Sequence, residues 1–417
     1  MRRCAYETGS HTFLMKPGKF SLNALLRSST LSIVASAFSY ATLMMLARIL
    51  DQDAFTHYLY VLVWGMIAVQ VIDCAADQCL LHFSRVSSRE PQELWVRLIG
   101  LKLIVLVVFV ASSLILGTLT NLRFPVESLL LILPAFYLGP VYESQQRNVK
   151  YAAVNFAERV AIFVSAVVIA WAGWQVEEIF LAYFFVSAAS LVYQLRGQFI
   201  QQVDFKPAGH WRPYLASYAP VYFVLISQLF YGNISRLIIE SKLGVLVFGA
   251  VTLALQIINL MSLVQTQVDK QLRPNLIHAA MHRDVNVIAL YARNYSVYYL
   301  VPLAIAALCL SLSAGPLMGL LFGERWAAAG HPLSILSPLL VTVACLRFLD
   351  ILVVTMNLGK INLVANIAAA AMLSLLLILM PAGYDLKSYL VVIVLVQMLH
   401  VMSMSWVVFS KLKKIRT

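Results

Sequence analysis

Only a few ionisable side chains interrupt the long apolar stretches of this sequence, and their types and spacing could do chemistry. Asp73 and Asp77 are four residues apart, so on a helix they face the same way and their repulsion favours proton uptake by one of them. The alternative is that Asp77 is simply hydrated near the membrane surface.

Arg347 and Asp350 are three residues apart and form either a structural pair or a cavity lining that offers a guanidinium to an anion. We favour the second interpretation, because Pro338, Asn357 and Gly359 make this run a poor candidate for a helix that faces only lipid.

Two further arginines end apolar runs at matching positions. Arg48 ends the first run and Arg236 the seventh; snorkelling to the interface explains either one alone, whereas their matched placement predicts a shared role at the mouth of a cavity. Glu143 ends the fourth run after Pro140, as an interfacial acid or as a member of a charge relay. The candidate substrate-binding residues are Arg48, Arg236 and Arg347, and the candidates for ion coupling or charge balance are Asp73, Asp77, Asp350 and Glu143.

The sequence does not predict a metal site or a cofactor. Asp73, Cys74, Asp77, Cys79 and His82 are close in sequence, but a helix distributes them around its axis, so they cannot converge on one ion. Four of the five cysteines lie within apolar runs, where packing thiols are the better interpretation.

The composition places these residues in a membrane. Apolar residues make up 61% of the 417-residue chain and charged residues 12%, and the mean hydropathy is +0.81. A helix that spans a bilayer needs about 20 apolar residues, and twelve such runs follow one another with short loops between them. The predicted spans are 28–47, 58–82, 98–119, 127–145, 158–174, 179–195, 215–236, 245–267, 296–314, 333–356, 361–380 and 388–409.

The basic residues predict which side of the membrane each loop faces. Of the 31 lysines and arginines, 24 fall at the chain ends or in the loops that share their side, Lys102 among them, and six fall in the other loops. The positive-inside rule therefore predicts that both termini are cytoplasmic, in a multi-pass protein of the bacterial inner membrane. The net charge of +12 then reflects orientation and contact with anionic lipids rather than nucleic-acid binding.

The first residues of the chain lack the pattern of a cleaved signal peptide. Residues 1–26 contain no apolar h-region and no small-residue cleavage pattern before the first span. Met15, followed by two lysines, would also be a reasonable start of translation.

A polar stretch, residues 196–212, separates two sets of six predicted spans. Two halves with an even number of spans can be related only by an axis along the membrane normal, as parallel repeats. We therefore expect an all-α membrane protein with two six-helix lobes, residues 1–203 and 204–417, around a central cavity. Prolines within the spans predict bends or hinges at Pro134, Pro140, Pro220, Pro302 and Pro338.

Three segments share a pattern with one transporter family: ARILDQDAF at 47–55 with Tyr58 and Asp73, GNISRLI at 232–238 continuing to Gly249, and LFGERW at 321–326 continuing to Leu333. Together with twelve spans and cytoplasmic ends they resemble the Wzx-type oligosaccharide-lipid flippases, the O-antigen and exopolysaccharide transporters of the multidrug/oligosaccharidyl-lipid/polysaccharide exporter superfamily. The chain departs from the family pattern at Asp51, Thr56 and Ala75, where glycine is usual, and at Ser235, where an acid is common.

The resemblance implies a MATE-like fold and a flippase of surface polysaccharide biosynthesis, such as that of lipopolysaccharide or exopolysaccharide. Its substrate would be a polyprenyl-diphosphate-linked oligosaccharide that moves from the cytoplasmic to the periplasmic leaflet. The implied partners are membrane lipids, a polysaccharide polymerase and other assembly proteins, with no nucleic acid. The three arginines would then bind the diphosphate.

Two other classes remain open at the sequence level. A MATE-like ion-coupled antiporter of small molecules would depend on the acids rather than on the arginines. A membrane glycosyltransferase is disfavoured, because such enzymes usually carry a large outer domain and the loops are too short for one, so we predict that the chain is not an enzyme. The loop 85–97 also lacks the Gly-x-x-x-Asp-Arg pattern of major-facilitator carriers.

Overall fold

The structure, a computed structural model, describes residues 22–73, 91–119, 124–144, 147–199, 212–262, 285–356, 358–381 and 383–416. These residues are almost entirely helical and include no strand, as the composition predicts. In the first half of the chain the helices are α1 (Leu22–Ile49), α2 (Gln52–Asp73), α3 (Pro91–Leu119), α4 (Gly139–Ser144), α5 (Asn148–Trp171) and α6 (Val176–Phe199). In the second half they are α7 (Arg212–Leu229), α8 (Ser235–Leu243), α9 (Val245–Ser262), α10 (Val285–Tyr295), α11 (Val301–Leu312), α12 (Ala314–Phe322), α13 (Gly330–Leu336), α14 (Leu339–Thr355), α15 (Gly359–Leu379) and α16 (Leu386–Arg416).

Most of the predicted spans have a helical counterpart of sufficient length. Among the described residues, ten helical stretches are long and apolar enough to cross a membrane, and the bent pair Glu324–Leu336 and Leu339–Val353 makes an eleventh. The predicted span 127–145 corresponds to the apolar stretch Val126–Tyr142, which is shorter than the others. The end of the predicted span 58–82 lies outside the described residues. The multi-pass membrane fold is therefore confirmed, although the count of twelve spans is not.

Prolines interrupt the short apolar stretch before α5. Two 3-10 turns, Val126–Leu131 and Leu133–Phe136, precede α4, and the second contains Pro134. Tyr137 between them and α4 is extended, with φ −68° and ψ 152°. Proline lacks the backbone N–H that an α-helix needs and clashes with the preceding turn. The same reasoning applies to Pro338, which separates the two arms of the bent pair at an angle of 47°.

A π-helical turn joins two helices into one span at two places in the second half. Phe230–Ile234 joins α7 to α8, and Ser296–Leu300 joins α10 to α11 just before Pro302. The second turn corrects a predicted boundary, because the helix of the span 296–314 already begins at Val285. The residues of α10 are amphipathic, so average hydropathy excludes them although the helix is continuous.

The segment between α11 and α14 is compact rather than an open loop. Trp326 in the 3-10 turn Glu324–Ala329 is only 2% exposed. Gly330 brings α13 directly against the backbone of α12: a Cβ atom on Gly330 would lie 2.4 Å from the Cα of Gly315. A Cβ on Gly315 itself would meet no atom within 4 Å.

We expect Gly330→Ala to destabilise the protein strongly, because the new methyl group overlaps backbone that cannot move without separating α12 from α13. The overpacking cost is about 1–3 kcal/mol or more. Gly315→Ala is the matched control and should leave stability nearly unchanged. Thermal unfolding of the detergent-solubilised proteins, followed by size-exclusion chromatography, measures both; equal stability of the two variants would contradict this packing.

Candidate functional site

Two arginines join the halves of the chain at the end of α1. Arg48 Nε donates to the carbonyl of Leu321 at 3.2 Å, and its Nη2 donates to the carbonyl of Leu320. In return, Arg325 Nη2 donates to the carbonyl of Ala47 at 2.7 Å. These carbonyls belong to the last turns of α12 and α1, where no partner exists within the helix. We call this reciprocal set of contacts the arginine latch.

Aromatic packing lies beside the arginine latch. The ring of Trp326 meets the ring of Phe55 edge to face, with centroids 5.4 Å apart. Gly249 of α9 lets the helices approach closely, because a Cβ there would lie 3.1 Å from Thr56 Oγ1 and 3.3 Å from Trp326. Polar and aromatic contacts together close the two halves against each other on the side of the α1–α2 turn.

Lys102 and Asp73 form a buried ion pair in the first half. Lys102 is 2% exposed, and its Nζ donates to Asp73 Oδ1 at 2.7 Å. The same ammonium group donates to the carbonyl of Ala135, where the prolines break the helix. Lys102 is therefore not the loop-side residue counted in the charge distribution, and the charge of Asp73 is already balanced in this conformation.

Arg236 lies inside its span rather than at the interface. The helix continues to Leu243, and the side chain of Arg236 is 2% exposed. Its Nε donates to the carbonyl of Gly232 in the π-helical turn, and Nη2 donates to Asn233 Oδ1 at 3.0 Å. Nη1 has no hydrogen-bond partner. Because the side chain does not reach the surface, snorkelling does not account for it, and one donor remains for a ligand.

Arg347 lines a small cavity of about 40 Å³ in the second half. Asn259 and Ser262 of α9 and Tyr299 of the second π-helical turn line the same cavity, and they supply amide, hydroxyl and phenol groups around the guanidinium. Asp350 lies on α14 with Arg347 and is half-buried. The sequence analysis did not identify Ser262 or Tyr299 as neighbours of Arg347.

The side chains of the other two predicted acids, Asp77 and Glu143, lie outside what the structure describes. Asp77 lies outside the described residues. Glu143 lies on α4, and its side chain is likewise outside what the structure describes. Arg48, Arg236 and Arg347 have different contacts from one another, so the structure gives each arginine a separate environment.

Glu158 is a candidate functional residue that sequence reasoning missed. It is 4% exposed in the middle of α5, where Tyr137 Oη donates to its Oε1 at 2.7 Å and Ser187 Oγ donates at 3.3 Å. Its Oε2 has no hydrogen-bond partner. The predicted span began at residue 158, whereas the helix starts at Asn148, so Glu158 lies well inside the helix rather than at its end. A carboxylate at this depth with only neutral donors is suited to binding a proton or another cation.

Solved structures with the same fold were found, although no family model and no curated protein matches the sequence. A multidrug resistance MATE family transporter of the MOP superfamily, in its inward-facing conformation, is 13% identical, with a TM-score of 0.73 over 94% of this chain and 99% of that chain. An outward-facing MATE transporter has a TM-score of 0.65 at 13% identity, over 94% and 96% of the two chains. The lipid II flippase MurJ, in an inward closed conformation, has a TM-score of 0.60 at 11% identity, over 94% and 89%.

The chain therefore has the fold shared by MATE transporters and the MurJ flippase. These neighbours are transporters and flippases rather than enzymes.

We expect Arg48→Gln and Arg325→Gln to separate the two halves at the latch, because each loses hydrogen bonds to carbonyls that contribute about 1 kcal/mol apiece. Spin labels at the exposed residues Asp51 and Glu324, in a background without the five native cysteines, report the distance by pulsed electron resonance. The fraction of molecules with a longer distance should rise several-fold.

Lys242→Gln provides the matched control for the latch. Lys242 Nζ also donates to helix-end carbonyls, of Ile378 and Met380, but these belong to its own half of the chain. Its loss should leave the distance between the labels unchanged. A distance distribution that is the same in all three variants would show that the latch does not hold the halves together.

Proposed function

We propose that this protein is a flippase that moves polyprenyl-diphosphate-linked oligosaccharides across the bacterial inner membrane by alternating access. Its two six-helix lobes, 1–203 and 204–417, would expose a central cavity first to the cytoplasm and then to the periplasm. Both termini would be cytoplasmic, and the product would pass to the polymerase and other proteins of surface polysaccharide assembly.

The buried guanidinium of Arg236 is the observation that carries this proposal. The guanidinium is 2% exposed, its hydrogen-bond partners are neutral oxygens of the same span, and Nη1 has no partner. A buried charge is costly unless it is paired. A diphosphate would supply the missing charge and the missing acceptor, whereas a cationic substrate would be repelled. Arg347, a predicted substrate-binding residue, lines a separate small cavity in the same half of the chain.

The arginine latch defines the conformation from which the proposed transport cycle would begin. With the orientation predicted from the basic residues, the α1–α2 turn is periplasmic, so the latch closes the outer side. The substrate would then enter from the cytoplasmic side while the latch is closed, and opening the latch would release it outward. In the closed state Arg48 is bound to carbonyls, so its predicted contact with the headgroup would require the open state.

The membrane potential favours transport in this direction. When the inside of the membrane is negative, outward movement of an anion is favourable by about 2.3 kcal/mol per charge per 100 mV. Export of a diphosphate therefore does not require a coupling ion, although Asp73, Asp77, Asp350 or Glu143 could bind one.

Glu158 favours a second candidate, a MATE-like ion-coupled antiporter of small molecules. Its Oε2 has no partner and its Oε1 accepts only from neutral groups, so a proton or a metal cation would neutralise it. An antiporter would depend on that exchange in every cycle, whereas the proposed flippase would not.

Three variants that remove a charge separate the two candidates. For the flippase we expect Arg236→Gln and Arg347→Gln to reduce surface glycan export about tenfold or more, because a hydrogen bond to a charged group contributes about 1.5–3 kcal/mol. Glu158→Gln should export normally. The measurement compares the surface polysaccharide and the lipid-linked repeat units of a deletion strain that carries each variant.

Accumulation of a lipid-linked repeat unit at the cytoplasmic face of the deletion strain would identify the substrate. Arg347→Lys, which keeps the charge, should retain more export than Arg347→Gln. The flippase proposal fails if both glutamine variants of the arginines, inserted at normal levels, export as the parent does. Loss of function in Glu158→Gln alone, with an unchanged glycan profile, would support the antiporter.

A further inference from the structure

A groove of about 490 Å³ runs along the surface between α5 and α6. Its floor on α5 consists of alanines one helical turn apart, Ala153, Ala157 and Ala161, and Val186 and Ala189 of α6 form the opposite wall. The three alanines of α5 are exposed. Small side chains on both helices thus leave a channel wide enough for a ligand.

The surroundings of the groove are those of a surface that faces hydrocarbon. Val164 and Val168 on α5 are 52% and 56% exposed, and Phe185 and Val192 on α6 are 67% and 49% exposed. Both helices are long and apolar enough to span the membrane. Large apolar side chains exposed at this depth contact lipid chains rather than water.

One end of the groove is positively charged. Lys150 lines this end of the groove and is exposed. Its Nζ lies 6.0 Å from the centre of the Tyr142 ring. Arg147 immediately precedes α5, three residues before Lys150, and Arg196 is three residues beyond the groove residue Tyr193 on α6; both are exposed. Because α5 and α6 are antiparallel neighbours, these three cations lie at the same end, where the phosphate of an anionic lipid would be attracted.

A buried carboxyl group lies beneath the middle of the groove. Glu158 lines it eight residues from Lys150, which is about 12 Å along a helix. The carboxyl is held through Oε1 by Tyr137 and Ser187, and Oε2 has no partner. An apolar groove with a basic end and an acid at its base is not explained by packing between α5 and α6 alone.

We propose that this groove binds one acyl chain of an anionic phospholipid, with the phosphate at Lys150 and the chain lying over Glu158. The bound chain adds an apolar cover over Glu158, whose Oε2 is already buried, so occupancy of the groove slows the approach of reagents to the carboxyl. Arg48, Arg236 and Arg347, the proposed substrate contacts, do not line this groove. The proposal of a lipid site does not depend on whether the protein is a flippase or an antiporter.

Ala157→Trp should empty the groove of lipid, because the indole fills the space beside Glu158. The purified variant is mixed with phosphatidylglycerol in detergent, and the retained lipid is counted by native mass spectrometry. We expect about a tenfold loss of affinity, since even two chain carbons that lose contact account for that factor. Ala368→Trp on α15 is the matched control, as Ala368 is also an exposed alanine of a membrane helix, and should retain the lipid.

Lys150→Gln tests the headgroup contact without changing the groove. It should reduce the preference for phosphatidylglycerol over phosphatidylcholine while retention of phosphatidylcholine stays constant. Ala153→Leu offers a second way to narrow the groove if Ala157→Trp does not fold. Equal retention by parent, groove variants and Ala368→Trp would mean that the lipid is bound only as part of the general lipid shell, and would overturn the proposal.

Access to Glu158 is measured with dicyclohexylcarbodiimide, an apolar reagent that forms adducts with carboxyl groups within membranes. Peptide mapping should show fast labelling of Glu158 in delipidated protein and several-fold slower labelling after addition of phosphatidylglycerol. Glu158→Gln should show no adduct at this position. Labelling that is equally fast with and without the lipid, or protection by polyprenyl phosphate but not by phosphatidylglycerol, would contradict the assignment.

Discussion

The bilayer interior offers no water to polar groups, so each carbonyl, carboxylate and guanidinium at that depth needs a partner within the protein. Much of this structure follows from that requirement. Lys102 binds both Asp73 and the carbonyl of Ala135 exposed by the broken helix. The latch arginines are exposed and donate to carbonyls at the ends of helices in the opposite half. Lys102 thus replaces water inside the first half, and the latch joins the two halves.

Among the described residues, three charged side chains, Glu158, Glu178 and Arg236, meet the same requirement only in part, and the two that are almost fully buried have opposite signs. Glu158 in the first half has an oxygen without a partner, and Arg236 in the second half has a nitrogen without one. Incomplete satisfaction of buried charges is expensive, and such residues tend to have a functional reason for their place. The arrangement suits a protein whose ligands complete the site only during part of its cycle, which is the behaviour that alternating access requires.

Sequence reasoning predicted the helical spans well because hydrophobicity and length are local properties. The bends at Pro134 and Pro338 were also predictable, since proline removes a hydrogen bond wherever it occurs in a helix. The errors occurred at boundaries. Average hydropathy placed the start of one span at residue 158 and the start of another eleven residues beyond Val285, because both helices begin with amphipathic turns. Sequence reasoning therefore did not identify Glu158, an acid in the middle of its helix.

The sequence by itself determined that this is a helical membrane protein with many spans, and it identified several of the charged residues that matter. Apolar length and the positions of proline are sufficient for that, because each acts within one helix. Only the tertiary structure decided which charge meets which partner: Lys102 with Asp73, Arg48 with the end of α12, and Glu158 with Tyr137 and Ser187. These contacts join residues 21 to 273 positions apart, and the distance between two helices cannot be read from either helix alone.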